Sequence, residues 1–267
     1  MSRLARPSRV AVVLVAAAAL YACQGDGSSA PDESVRIARL RFDDVTTRAG
    51  IARDAPTYDA AVGDVDGDGL PDIYVGNHGT GAVLLRNQGD GTFRDILPTS
   101  GMDPRGDQHG AGWADYDNDG HLDLYVSVGA GRGLATKANR LYRNTGQGGF
   151  ADRAADAGAT DPNGRSRSLA WLDVNRDGWL DLVLANFASP NRLYLNRGDG
   201  TFEDVSEASG IAALSATRIA WADYDADGFP DLLLSGTPQG LRLLRNEEGA
   251  RFPTRPPRFP TMERPPS

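Results

Sequence analysis

Short apolar runs alternate with polar loops along residues 42–252, and the order of these runs repeats four times. In the first repeat, an apolar run at residues 60–63 precedes an acidic loop, and a second apolar run at 73–75 follows it. A third run, 84–87, ends in Asn, and a Gly-rich hairpin then leads to an aromatic segment that begins at Phe93. Runs of this length bounded by Gly and Asn predict strands. About four strands in a repeat is the content of one propeller blade.

A sustained period of 3.6 residues is absent from the chain, and we expect a helical turn only within residues 151–159. The predicted fold class is therefore all-β, a β-propeller-like array of four-stranded blades over residues 42–252. Five aromatic segments surround the four acidic loops, so a strand from either terminus could complete the last blade. These segments are marked by Phe42, Phe93, Phe150, Phe202 and Phe252.

One acidic pattern marks every repeat: Asp-x-Asp/Asn-x-Asp-Gly-x-x-Asp, at residues 64–72, 115–123, 173–181 and 223–231. The four copies hold fifteen carboxylates, in a chain of 267 residues with a formal net charge of −8. Carboxylates at alternate positions repel one another, and a hard cation held by oxygen ligands relieves that repulsion. Calcium accepts about six to eight oxygens in flexible geometry, and the Gly at position 6 permits the sharp turn around the ion.

The pattern therefore predicts about four calcium ions, one in each loop. Positions 1, 3, 5 and 9 are expected to supply side-chain oxygens, and position 7 its backbone carbonyl. The side-chain donors are Asp64, Asp66, Asp68, Asp72, Asp115, Asp117, Asp119, Asp123, Asp173, Asn175, Asp177, Asp181, Asp223, Asp225, Asp227 and Asp231. The carbonyl donors are Leu70, His121, Trp179 and Phe229. The alternative is a set of solvated turns without ions, and it is strongest for the third loop, where Asn175 replaces a carboxylate and Arg176 adds a positive charge.

Other metal motifs fit less well. An EF-hand shares the first six positions, but it needs Glu at position 12 and two flanking helices. Position 12 is apolar in all four copies and falls in a predicted strand: Val75, Val126, Leu184 and Leu234. Magnesium prefers a tight octahedral site with retained waters, and zinc would require His or Cys, which are not placed for it.

The first 22 residues have the pattern of a bacterial lipoprotein signal peptide. Three arginines precede an apolar run at residues 10–20, which is too short to cross a bilayer. The run leads to Leu20-Tyr21-Ala22-Cys23, which resembles a lipobox, where cleavage leaves a cysteine that is then lipidated. Several acyl chains on one Cys give stable anchoring. An ordinary signal peptide with a chance Cys23 is the alternative.

Two further segments are predicted on either side of the repeats. After the signal peptide, residues 23–41 are expected to form the lipidated Cys and a flexible tether, and Pro-rich residues 253–267 a disordered tail. The chain is expected to be anchored on the bacterial cell envelope or secreted, with no membrane contact other than the lipid. The single cysteine excludes an internal disulfide framework, and the negative charge argues against nucleic acid as a partner.

The loops and their flanks resemble FG-GAP/VCBS repeats, the propeller repeats of the integrin-α type. Residues 112–120 (Gly-Trp-Ala-Asp-Tyr-Asp-Asn-Asp-Gly) and the segment from Phe202 to Ile211 are also similar to the ASPIC/UnbV (cartilage acidic protein) group. The resemblance covers roughly residues 42–252. It implies a β-propeller with one calcium in each loop, and an extracellular binding or adhesion scaffold.

The chain departs from that family in two ways. Family propellers commonly have seven blades, whereas four are counted here, and no ASPIC-like domain follows them. The four repeats could form a small closed ring, an open arc that pairs with another copy, or part of a larger propeller.

Candidate catalytic groups are few. Gly-x-Ser-x-Gly and His-Glu-x-x-His motifs are absent, and with Cys23 assigned to the anchor no thiol nucleophile remains. His109 could line a surface pocket, while His78 is expected to have a turn role and His121 sits in an acidic loop. Arg105-Gly106-Asp107 spells an integrin-binding tripeptide, which is unsurprising by chance in a chain of this composition.

We therefore expect a non-enzymatic, calcium-binding propeller that acts as a scaffold for an extracellular protein or glycan. The alternative is an extracellular enzyme or accessory subunit that acts on polymers, with the propeller as its substrate platform. An inactive repeat remnant is a third possibility. A pocket that contains His109 with a perturbed acid beside it would favour the enzyme.

Overall fold

The computed structural model describes residues 42–129, 138–238, 240–247 and 249–253. The chain divides into two units, Met1–Asp44 and Val45–Ser267, and every sheet lies in the second unit. The predicted signal peptide, Cys23 and the tether lie outside the described residues, as does the predicted tail beyond its first residue. In the part of the chain that the structure describes, no helix is long and apolar enough to cross a membrane.

Four antiparallel sheets follow one another along the chain, and in each the strands pair in sequence order. Sheet 1 contains β1 (Thr57–Gly63), β2 (Asp72–Asn77), β3 (Val83–Asn87) and β4 (Phe93–Asp95). Sheet 2 contains β5 (Gln108–Ala114), β6 (Asp123–Val128), β7 (Arg140–Asn144) and β8 (Phe150–Asp152). Sheet 3 contains β9 (Ser166–Leu172), β10 (Asp181–Asn186), β11 (Arg192–Asn196) and β12 (Phe202–Asp204). Sheet 4 contains β13 (Arg218–Ala222), β14 (Asp231–Thr237) and β15 (Gly240–Leu244). The all-β prediction is confirmed.

Sheet 4 has three strands among the described residues, although the sequence predicts four in every blade. Phe252 nevertheless occupies the place of the missing strand: it is fully buried, and its N–H donates to the Ser209 carbonyl at 2.7 Å. Phe150 makes the same bond to the carbonyl of Ser100, also at 2.7 Å. Phe42, by contrast, is 92% exposed and lies outside any strand.

Short helical turns connect the outermost strand of one sheet to the innermost strand of the next. The turn predicted within 151–159 is present as α1 (Ala154–Ala157), and the structure adds an equivalent turn, α2 (Ser206–Ser209). Both end at a glycine with positive φ, Gly158 at 76° and Gly210 at 87°, the conformation that terminates helices most readily without a Cβ. Two 3-10 turns, Leu97–Thr99 and Ile211–Ala213, complete the connections.

The hydrophobic core is divided into three clusters, one between each pair of consecutive sheets. The innermost strands β1, β5, β9 and β13 lie side by side in that order. Indoles join neighbouring sheets at this inner edge: Trp113 donates to the Ala61 carbonyl at 3.2 Å. Trp171 donates to the Gly112 carbonyl at 3.1 Å, so both tryptophans contact the preceding sheet.

The two end sheets leave apolar side chains uncovered. In sheet 4, Leu233 and Leu243 are 37% and 47% exposed, whereas the equivalent Tyr125 and Leu141 of sheet 2 are fully buried. At the other end of the series, Val62 in β1 is 63% exposed. Sheets 1 and 4 therefore do not bury these side chains against each other. Trp221, at the equivalent position of β13, is 50% exposed as well.

Candidate metal centres

Each acidic motif forms the loop between the first and second strands of a sheet, so all four loops lie at the same end of the inner strands. The register of the strands sets this position. In sheet 1, Gly63 pairs with Asp72, so the motif begins directly after β1 and its ninth residue begins β2. The same pairing joins Ala114 to Asp123 in sheet 2.

The carboxylate at position 1 organises the turn by accepting backbone N–H groups from the residues that follow. In the first loop, Asp64 accepts from Asp68 N at 3.1 Å and from Gly69 N at 2.8 Å. The other three loops repeat both bonds, with Asp115, Asp173 and Asp223 as acceptors. Position 4 has positive φ as well as the expected Gly at position 6, and it is occupied by Gly67, Asn118, Arg176 and Ala226.

The carboxylate at position 9 is buried and accepts one backbone bond on each oxygen. Asp123 accepts from Tyr116 N at 3.3 Å and from Asn144 N at 2.7 Å. Burial outweighs these bonds and raises the pKa of the Asp123 carboxyl to about 8. The pKa of Asp181 is raised to about 7 for the same reason. Without a cation, burial therefore favours the protonated form of these two carboxyls.

Three of the predicted donors in a loop converge on one point. In loops 1, 2 and 4, one carboxylate oxygen from each of positions 1, 3 and 9 lies within 4.8 Å of the other two. These groups are Asp64, Asp66 and Asp72; Asp115, Asp117 and Asp123; and Asp223, Asp225 and Asp231. Such a group could hold a metal ion. The third loop has Asn175 at position 3, so its carboxylates are fewer.

The carboxylate at position 5 is not one of these three oxygen donors. Asp68 accepts the N–H of Leu70 at 2.9 Å, and the bond recurs between Asp119 and His121 at 3.0 Å. The bond also recurs in loops 3 and 4. That position 5 contributes an oxygen and position 7 a carbonyl remains a prediction.

Arginines that the sequence analysis did not single out bridge positions 3 and 5 of three loops. Arg143, in the third strand of sheet 2, lies 2.5 Å from Asp117 and 2.8 Å from Asp119. Arg86 and Arg245 form the same bridges in loops 1 and 4. These arginines supply part of the charge compensation for which the sequence analysis invoked a cation alone.

The third loop lacks this arginine, and it also lacks one carboxylate. Leu195 stands at the arginine position, and Asn175 donates its own amide to Asp177 at 2.9 Å. Arg176 turns to the next loop, with its guanidinium 5.4 Å from the centre of the Phe229 ring. The two replacements offset each other, because one removes a positive charge and the other a negative charge. The bridging arginines could have been found in the sequence, because an Arg precedes the Asn of the third strand in repeats 1, 2 and 4.

Side chains at position 7 cover the glycine of the neighbouring hairpin. A Cβ added to Gly198 would lie 2.7 Å from the Trp179 ring, and one added to Gly146 would lie 2.6 Å from His121. Real Cβ atoms do not come this close to a ring, so the hairpin needs glycine for the contact as well as for its positive φ.

An asparagine in each later repeat reaches into the acidic loop of the repeat before it. The side-chain amide of Asn144 donates to the Val65 carbonyl at 2.8 Å. Asn196 and Asn246 donate in the same way to Tyr116 and Val174, both at 2.8 Å. All three asparagines are buried. The loops are therefore fixed by contacts between repeats as well as by their own turns.

Meander sheets joined in series, each with an Asp-rich loop at the same strand end, define a β-repeat protein with several metal-type loops. The profile of the FG-GAP-like repeat matches residues 64–126, 128–184 and 173–234, more than half of the chain. The chain belongs to the FG-GAP-like repeat family.

Relatives of this chain share the name cartilage acidic protein 1. The Mus musculus protein is 30% identical over 179 residues, which cover 61% of this chain and 27% of that protein. The Xenopus tropicalis protein is 28% identical over 182 residues, 62% of this chain and 27% of that protein. The chain thus matches about a quarter of the length of these relatives. The V. cholerae biofilm matrix protein Bap1 is similar in structure with a TM-score of 0.40 and 19% identity, over 74% of this chain and 30% of that one.

Proposed function

We propose that the four acidic loops bind Ca²⁺ and that the chain acts as an exported, non-enzymatic scaffold for a protein or glycan ligand. The observation that carries the calcium assignment is the convergence of three carboxylates within 4.8 Å in each of three loops. All three donors are oxygens, which hard cations prefer, and calcium accepts such donors in flexible coordination geometry.

The charges in the loops support the same assignment. Loop 2 has four carboxylates and one bridging arginine, so its net charge is −3 when all four carboxylates are ionised. Burial of the position 9 carboxylate makes part of this charge costly. A bound divalent cation would offset most of it without displacing the arginine.

Export and the scaffold role rest on the family and on the first 23 residues. The apolar run at residues 10–20, which the Leu-Tyr-Ala-Cys segment follows, supports export with Cys23 as the lipid attachment site. Membership of the FG-GAP-like repeat family supports binding rather than catalysis as the role of the array. The ligand class, an extracellular protein or glycan, is part of the proposal.

Calorimetric titration of the purified, chelator-treated chain with Ca²⁺ tests the calcium assignment, together with thermal unfolding in calcium and in chelator. We expect about four ions per chain and a higher melting temperature in calcium, because the ions bind the folded chain and stabilise it by mass action. Titration with Mg²⁺ is expected to give weaker binding, since the loops offer no preformed octahedral site.

Single-site variants make the test specific. Asp117→Asn and Asp225→Asn are each expected to weaken Ca²⁺ binding at one loop and to leave binding at the other loops unchanged. Asp199→Asn is the matched control, because this exposed carboxylate lies in a hairpin outside the motifs and, among the described residues, forms hydrogen bonds only with Thr201. Equal melting temperatures in calcium and chelator, with no ion bound, would refute the assignment.

A further inference from the structure

A second kind of polar cluster lies at the other end of the inner strands, away from the acidic loops. His78 directly follows β2, Asp107 directly precedes β5, and His109 is the second residue of β5. Sheets 1 and 2 bring these three side chains together, although they are up to 31 positions apart in the sequence. One ligand atom from each lies within 4.8 Å of the other two.

The donor atoms are close enough to share an ion. His109 Nε2 lies 3.0 Å from Asp107 Oδ1, and His78 Nδ1 contacts the same oxygen. Two donors bonded at about 2.0–2.1 Å to one tetrahedral ion stand roughly 3.3 Å apart, so the first of these spacings matches coordination. The imidazole rings are inclined at 62° with their centres 5.5 Å apart, which lets both face a common point.

The buried member of the cluster contacts Asp107 through Nε2, but this contact is not aligned as a hydrogen bond. The His109 side chain is 3% exposed, and among the described residues neither of its ring nitrogens is hydrogen-bonded. Asp107 Oδ1 is likewise buried without a hydrogen bond, despite its closeness to both histidines. Buried polar atoms are nearly always satisfied in folded proteins, and leaving one unsatisfied costs about 1–3 kcal/mol. A cation bound between His109 Nε2 and Asp107 would satisfy both atoms.

Aromatic and glycine contacts hold the cluster in place. The Tyr58 ring packs edge-on against His109, with the ring centres 4.6 Å apart, and lies 5.1 Å from His78. Gly129 closes the other side, where an added Cβ would lie 2.1 Å from the His109 ring. His78 is 48% exposed and leaves one side open to solvent. The cluster is therefore rigid on its buried side and accessible from outside.

We propose that His78, Asp107 and His109 form a binding site for a divalent transition-metal ion such as Zn²⁺, distinct from the acidic loops. Two imidazole nitrogens and one carboxylate oxygen suit zinc and its first-row neighbours, whereas calcium and magnesium prefer oxygen donors alone. Three protein ligands leave a coordination position for water or a small ligand on the exposed side.

The test is titration of the full chain with Zn²⁺ while Ca²⁺ saturates the loops. We expect one Zn²⁺ per chain, and an equivalent titration with Co²⁺ is expected to give the visible absorption of a nitrogen-coordinated ion. His78→Ala and Asp107→Asn should each weaken zinc binding at least about tenfold and abolish the cobalt signal. Both positions lie outside the buried core clusters, and circular dichroism in calcium checks that each variant is folded.

Asp199→Asn is the matched control, because this exposed carboxylate lies outside both the cluster and the acidic loops. Zinc binding should be unchanged in this variant. Failure of Zn²⁺ to bind in saturating calcium would overturn the proposal, as would equal affinity in the parent, His78→Ala and Asp107→Asn chains. Either result leaves the calcium assignment intact, since that is judged by the loop variants.

Discussion

Replacing Asn144 with Ala tests whether the bonds between repeats stabilise the array. The side chain donates to the Val65 carbonyl at 2.8 Å and to the Leu122 carbonyl at 3.2 Å. Its own carbonyl oxygen accepts from Gly146 N at 3.0 Å. The first bond crosses to the preceding repeat, and the other two lie within the repeat of Asn144.

The first repeat offers a matched control that lacks the crossing bond. Asn87 donates to the Pro71 carbonyl at 3.2 Å and accepts from Gly89 N at 3.0 Å, the same two local contacts. The difference between Asn144→Ala and Asn87→Ala therefore reflects the crossing hydrogen bond, the carbonyl of Val65 that it satisfies, and the deeper burial of Asn144.

The expected difference in the free energy of unfolding follows from the hydrogen bond that only Asn144→Ala removes and from the acceptor that it leaves without a partner. A hydrogen bond contributes about 1 kcal/mol net, and a buried acceptor left without a partner adds roughly 1–3 kcal/mol. We expect Asn144→Ala to lower the free energy of unfolding by about 2 kcal/mol more than Asn87→Ala, roughly a 30-fold difference in the folding equilibrium constant. Urea unfolding of both variants in saturating calcium, followed by circular dichroism, measures it. Equal losses within about 0.5 kcal/mol would show that water replaces the amide and that the reasoning is wrong.

Three further predictions concern the acidic loops and their hairpins. In chelator, the free energy of unfolding should fall as the pH rises from 5 to 8, because folding raises the pKa of Asp123 to about 8 and that of Asp181 to about 7. Both carboxyls have a pKa of about 3.9 in the unfolded chain, so in this pH range the folded chain binds more protons than the unfolded chain. The stability that these protons contribute is lost as they dissociate, and a urea midpoint that does not change with pH would contradict this. Ala226→Gly should raise the free energy of unfolding by about 0.5–1 kcal/mol, because Ala226 has a φ of 59°; calorimetry that shows no rise in melting temperature would oppose it. Gly198→Ala should destabilise by about 2 kcal/mol, since its Cβ would meet the position 7 indole; Gly200→Ala has open space there and should show only the cost of backbone strain in the same urea assay.

Repetition made most of the fold predictable. Each acidic loop occurs four times and each strand three or four times among the described residues, so an ambiguous copy such as the third loop could be aligned with clearer ones. The buried Asp at position 9 was found in this way, and so was the Phe that begins each outer strand. The pairing of Arg143 with Asp117 was equally visible, because the repeat that lacks the arginine also lacks the carboxylate.

Features that depend on packing between repeats could not be predicted. Trp221 has the sequence context of Trp113, yet it is half exposed. Exposure of this kind depends on what packs around a side chain, which a pattern within the repeat does not record. The cluster around His109 is unpredictable for a related reason, because its members meet only when two sheets are packed together.

The asparagine bonds join the four loops into one continuous chain of hydrogen bonds with a direction. Within a loop, the position 9 carboxylate accepts the N–H of position 2, as Asp72 accepts from Val65 at 3.0 Å. The carbonyl of Val65 then accepts from the side-chain amide of Asn144. The backbone N–H of Asn144 donates to Asp123 in the next loop at 2.7 Å. The relay continues in this order to loop 4.

This relay ends at Tyr224, because no asparagine of a later repeat reaches its carbonyl among the described residues, and Tyr224 is 54% exposed. These hydrogen bonds therefore link each acidic loop to the loop that follows it, as in an array whose repeats contact only their neighbours. Among the described residues, loop 4 receives no such hydrogen bond from a later repeat. It is the loop from which fraying would begin and then pass, repeat by repeat, toward the first.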